Sequence, residues 1–141
     1  MDFEISYFSM LKWGRLSMPT ENRQRADKVF KTLGLVVASS AGNGRYLRSE
    51  LKEGFRFWIS SYWRQRYDKF GIQIMKKTAS LEILSAVSQQ LIDKGFTRKD
   101  SGNKTEYFKI IDFLPDGEPD LRGVMLIYRE ALDIPELQKV L

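Results

Sequence analysis

The chain has no cysteine and no histidine among its 141 residues. Their absence excludes a disulfide framework, a thiol nucleophile, a Cys/His zinc site and a Ser-His-Asp triad. Any catalysis would have to run on carboxylates, lysine, arginine, tyrosine or serine. No apolar run reaches the roughly 18 to 20 residues that a membrane span needs. The opening "MDFEISYFSM" is acidic and amphipathic rather than basic and then apolar, so it does not read as a signal peptide. The expectation is a soluble, intracellular, cytoplasmic chain with no membrane partner. A glycine-rich phosphate loop is also missing, because "AGNGR" (41 to 45) lacks the Walker spacing and the helix that should follow.

What is present is the composition of a folded protein, with 43% apolar and 29% charged residues. The length suits one domain spanning residues 1 to 141. Lys and Arg outnumber Asp and Glu by 23 to 18, a formal charge of +5 that favours polyanions or acidic protein surfaces as partners.

An internal echo divides the chain at about residue 66, giving units 1 to 66 and 67 to 141. "FEISYF" (3 to 8) and "FGIQIM" (70 to 75) both alternate like strands. Each precedes an amphipathic helix, with stripes at Ala26, Val29, Phe30 and Leu33 and at Ile83, Leu84, Val87 and Leu91. Thr20 and either Thr78 or Ser80 mark helix starts, while Gly34 and Gly95 mark helix ends. Two hairpins follow, at 35 to 49 and 96 to 110, each turning at a Gly/Asn cluster. An offset of 61 pairs Tyr46 with Tyr107 and Arg48 with Lys109. A closing strand ends each unit, 54 to 63 in the first and "GVMLIYREAL" (123 to 132) in the second. The expected fold is α+β, with two pseudo-repeated β-α-β-β-β units, an antiparallel sheet and a short C-terminal helix at "IPELQKVL".

The stretch "FRFWISSYWRQRY" (55 to 67) concentrates aromatic rings and arginines. Strand alternation sends Phe55, Phe57, Ile59, Ser61 and Trp63 to one face and Arg56, Trp58, Ser60, Tyr62 and Arg64 to the other, which Arg66 and Tyr67 extend. The first set suits a core. The second interleaves rings and guanidinium groups, a pattern that stacks bases while meeting phosphates. The bland explanation is that this second face packs under another element or forms a self-association seam. Arg45 and Arg48 at one hairpin, and Arg98, Lys99 and Lys104 at the other, form a second candidate set that tracks a sugar-phosphate backbone without reading sequence. Arg23, Arg25 and Lys28 read as the solvated face of the first helix.

Asp112, Asp116, Glu118 and Asp120 crowd "IDFLPDGEPD". Such carboxylates hold Mg²⁺ in nucleases or do acid/base work. Proline and glycine punctuation makes the segment a polar turn instead, so no catalytic residue, metal or cofactor is expected. Residues 70 to 110 resemble the strand-helix-hairpin portion of LAGLIDADG homing endonucleases. The acidic helix motif of that family is absent, and Lys94 in "LIDKGF" stands where an acid is wanted. The resemblance therefore implies a way of laying a sheet on DNA without cleavage. A winged-helix arrangement, with "SLEILSAVSQQLIDKG" (80 to 95) as recognition helix and 96 to 110 as wing, is a further option.

These features favour a non-catalytic module for DNA or RNA. The alternative is a protein-binding adaptor or inhibitor, or a homodimer, using the same Trp, Tyr and Arg surface.

Overall fold

A computed structural model describes residues 20–41, 44–61, 67–77, 80–112 and 120–140. Helix α1 (Thr20–Thr32) leads into strands β1 (Val36–Ala41), β2 (Gly44–Arg48), β3 (Phe55–Ser61) and β4 (Tyr67–Met75). Helix α2 (Leu81–Asp93), strands β5 (Thr97–Ser101) and β6 (Lys104–Ile110), and helices α3 (Leu121–Leu132) and α4 (Pro135–Gln138) complete the order. The strands form one six-stranded sheet, β1-β2-β3-β4-β6-β5, antiparallel at every pairing. The fold is α+β, and its short last helix starts on Pro135, whose missing N–H costs nothing in a first turn.

Local chemistry explains the two main helices and their exits. The Ser80 hydroxyl accepts from the Ile83 amide at 3.2 Å and caps α2. Both α1 and α2 then end in the same way, on a left-handed glycine, Gly34 at φ 81° and Gly95 at φ 93°. The amides of Leu35 and Phe96 reach back to the carbonyls of Phe30 and Leu91, each at 3.0 Å, and bury their own side chains. Each helix is thereby turned into the hairpin that follows it. The second hairpin closes through Gly102 at φ 61°, the conformation that a tight turn with glycine at its first central position requires.

The core lies on one face of the sheet. Phe55, Phe57 and Ile59 of β3 and Phe70, Ile72 and Ile74 of β4 meet Ala26 and Phe30 of α1, Val87 and Leu91 of α2, and Val124, Ile127 and Ala131 of α3. Phe57 stacks on Phe70 at 5.7 Å and meets Tyr128 at 4.8 Å. Each such fully buried side chain contributes about 1.5–3 kcal/mol. Among the described residues, every helix packs on this side.

Three expectations change. Residues 123 to 132 are helix, not strand: Val124, Ile127, Tyr128 and Ala131 recur at the helical spacing, and the Asp120 carboxylate caps the start through the Gly123 amide at 3.2 Å. The second unit is therefore β-α-β-β-α. The offset pairing of the hairpins also slips. The β1-β2 register shifts between Val37 and Ser39, whereas the β5-β6 register is unbroken. One extra residue sends Tyr46 to the face opposite Tyr107. Finally, the 96 to 110 hairpin is the sheet's edge and α2 lies on the sheet, which is not a winged-helix arrangement. The strand expected at 3 to 8 lies outside the described residues.

Candidate nucleic-acid interface

The face of the sheet away from the helices is set by strand register. Val36, Arg48, Trp58, Gly71, Phe108 and Thr97 form one row across it, from β1 to β5. Arg56, Gln73, Glu106 and Lys99 form the row on one side of it, and Tyr46, Ser60, Lys69 and Ile110 the row on the other. Rings meet along the centre, with Trp58 at 6.2 Å from Tyr46 and 6.3 Å from Phe108. The Lys69 ammonium sits 5.0 Å from the Phe108 ring centre, a cation-π contact. The Tyr46 hydroxyl donates to Gln73 Oε1 at 3.3 Å. Burial, aided by the Glu106 carboxylate, pushes the Tyr46 phenol above its ordinary range.

Cations on the two faces live in different company. On the helix side, Arg45 pairs with Asp27 of α1 and donates to the Tyr67 hydroxyl at 2.5 Å. Lys109 bonds Glu130 of α3 at 3.0 Å, and Arg98 bonds Asp100 at 3.2 Å. On the helix-free side, Arg48, Arg56, Lys69 and Lys99 make no ion pair among the described residues; Lys104 pairs with Glu106 at 3.8 Å. The Arg56 guanidinium is pulled below its ordinary range by burial and by the neighbouring Arg48 charge. Its Nε and the Trp58 indole N–H are buried without a hydrogen-bond acceptor. An orphaned donor of this kind costs about 1–3 kcal/mol.

The expected binding residues thus divide. Arg48, Arg56, Lys99 and Lys104 share the helix-free face with Trp58, but Trp58 is only 5% exposed and is wedged between rings rather than offered as a stacking surface. Arg45 is turned inward to Asp27 and Tyr67, because its strand position faces the helices. Arg98 also projects to the helix side, over the Tyr107 ring at 5.9 Å. Tyr62, Arg64 and Arg66 lie outside the described residues. Arg23 and Arg25 each have partners, so α1 presents no row of free cations. Sequence reasoning missed Lys69 and Phe108. The alternation it applied to residues 54 to 64 also places them, once carried across the register to β4 and β6.

Of the acidic cluster, Asp120 is a helix cap and its amide bonds the Asp112 carbonyl at 2.9 Å; Asp116 and Glu118 lie outside the described residues. Among the described residues, no group of three acidic side chains is placed to hold a metal ion, and no helix is long and apolar enough to cross a membrane. An open pocket of about 450 Å³ lies where β1, β2 and the turn after β2 meet, lined by Val36, Arg48, Glu50, Leu51 and Arg56 among others.

No family model, curated protein or solved structure matches this chain. The likeness of residues 70 to 110 to homing endonucleases remains one of pattern.

Proposed function

We propose that this protein is a non-catalytic nucleic-acid-binding module whose contact surface is the helix-free face of the sheet. The observation that carries this reading is the asymmetry of ion pairing. Among the strand cations, Arg45, Lys109 and Arg98 on the helix side each have a carboxylate, whereas on the other face Lys104 alone has one and Arg48, Arg56, Lys69 and Lys99 have none among the described residues. Strands that leave their unpaired cations on the helix-free face favour a polyanion there, and phosphates supply the missing counter-charge without demanding a sequence. Tyr46 and Phe108, both half-buried, add ring edges beside the cations. The buried Trp58 supports them from between.

Fluorescence anisotropy with single-stranded DNA, duplex DNA and RNA across a salt series tests the reading. Affinity for at least one of them falls log-linearly and steeply with salt, as counterion release requires. Binding that hardly responds to salt, or none, overturns it. With Mg²⁺ or Mn²⁺ the same substrates stay intact; divalent-dependent cleavage would make the protein a nuclease instead.

A second reading, a protein-binding adaptor, draws on the β1 edge. Val36 and Val37 are 54% and 48% exposed on a strand that pairs only with β2 among the described residues, an arrangement that accepts an added strand. The opposite edge, β5, is guarded by Arg98, Lys99 and Asp100.

A further inference from the structure

We infer that Arg48 and Arg56 frame a seat for a terminal phosphomonoester of a nucleic-acid strand, an inference that rests on the nucleic-acid reading above. Arg48 is the direct cross-strand partner of Trp58, and Arg56 precedes Trp58 by two positions on the same strand. The two arginines thus project to the helix-free face as near neighbours on either side of the buried Trp58 ring. Both bring N–H donors, neither makes an ion pair among the described residues, and Arg56 Nε has no hydrogen-bond acceptor. Donors gathered without acceptors form an incomplete site, and an oxyanion completes it.

The charge and shape of the site select the anion. Two guanidinium groups side by side repel, and burial together with the Arg48 charge depresses the basicity of Arg56. An internal phosphodiester carries one negative charge and offers two free oxygens. A phosphomonoester carries about −1.5 to −2 near neutral pH and offers three, enough to engage both arginine forks. The site is also concave, since Arg48 and Arg56 line the pocket of about 450 Å³ with Val36 and Leu51. A strand end enters such a recess more easily than a continuous backbone crosses it. The exposed side chains of Val36 and Leu51 give the terminal base or sugar an apolar wall. Glu50 lines the same pocket and forms no ion pair with either arginine, so its carboxylate is free to accept a sugar hydroxyl beside the phosphate.

The test compares three short single-stranded oligonucleotides of one sequence, carrying a 5′-phosphate, a 3′-phosphate or hydroxyls at both ends. The expected result is that one phosphorylated form binds roughly tenfold tighter than the hydroxyl form. Arg48→Gln and Arg56→Gln abolish that difference, while the hydroxyl oligonucleotide loses less. Arg56→Lys keeps the charge but not the fork and restores only part of the preference. Thermal melts of each variant show whether it folds; should Arg56→Gln not fold, Arg48→Gln, at an exposed position, carries the comparison and alone reduces the preference. Equal binding of all three oligonucleotides, or a preference that survives in folded arginine variants, overturns the phosphate seat and leaves the wider interface standing. Failure of every oligonucleotide to bind overturns both.

Discussion

Trp58 and Phe108 come together over Gly71, their ring centroids 6.3 Å apart across the strand that carries the glycine. Gly71 is the cross-strand partner of both, so its missing side chain is the space into which the two rings lean. A Cβ at Gly71 would lie 2.2 Å from the Tyr107 carbonyl oxygen and 2.9 Å from the Phe108 Cα, and backbone does not yield as a flexible side chain does. Gly71→Ala is therefore expected to push β4 from β6 and cost about 3 kcal/mol of stability, measured by denaturant unfolding. A loss under about 1 kcal/mol would mean the strands separate easily here and the close approach is incidental.

The neighbouring positions 57 and 58 point to opposite faces, yet both are buried, at 3% and 5% exposure. Phe57→Ala removes a ring stacked between Phe70 and Tyr128 and is expected to cost about 3–5 kcal/mol. Trp58→Ala is expected to cost a similar amount, because Tyr46 and Phe108 lose the ring between them. Thermal melts of the two variants make the comparison. If Trp58→Ala melts with the wild type, its ring is dispensable to the fold and belongs to a ligand platform.

How much of this was legible in the residues depends on the range of the interaction that fixes each feature. The α1 and α2 exits were readable because Gly34 and Gly95 act within one turn of their helices, and the two hairpins followed from local turn chemistry. The odd-numbered core of β3 was readable from alternation alone. Residues 123 to 132 misled because apolar residues at adjacent positions satisfy both strand and helix patterns over so short a span, and the deciding cap, Asp120, sits outside it. The slip between Tyr46 and Tyr107 was invisible because one bulge near Ala38 inverts the faces downstream, and nothing in "LVVASSA" marks it. Arg45 looked like a free tip cation because its partner Asp27 lies on another element. Pairing between elements separates cations held inside the fold from those left without a carboxylate, and it appears only with the tertiary structure.

Tyr67 makes that inward cluster responsive to pH. Its hydroxyl donates to Asp27 Oδ1 at 2.7 Å and accepts from Arg45, and burial together with the Asp27 carboxylate raises its pKa above the ordinary tyrosine value near 10. The folded state thus holds this proton more tightly than the unfolded chain. The stabilisation is fully present below about pH 10 and is lost as pH rises beyond it. Tyr67→Phe is expected to flatten the alkaline fall in unfolding free energy between about pH 9 and 11 relative to the wild type. An alkaline slope identical in both proteins would place the sensitivity in other groups.

Lys69 and Lys109 offer the sharpest contrast for the interface, because they are near neighbours in the sheet and face opposite ways. Lys69 of β4 pairs across the ladder with Ile110, while Lys109 of β6 pairs with Phe70. Lys109 spends its charge on Glu130 at 3.0 Å, whereas Lys69 has only the Phe108 ring beneath it. Replacing either by glutamine removes one unit of positive charge, so a general electrostatic attraction to nucleic acid predicts equal effects. A contact surface confined to the helix-free face predicts unequal ones. Lys69→Gln is expected to weaken binding uniformly across sequences and to lower the slope of log K against log salt by about one. Lys109→Gln is expected to leave that slope unchanged and to lose at most about 1 kcal/mol of stability with its half-exposed ion pair. Anisotropy titrations at several salt concentrations, run beside melts of both variants, make the comparison directly. Equal shifts in slope would show that net charge rather than the helix-free face governs the interaction, and a larger shift for Lys109→Gln would move the contact surface to the helix side.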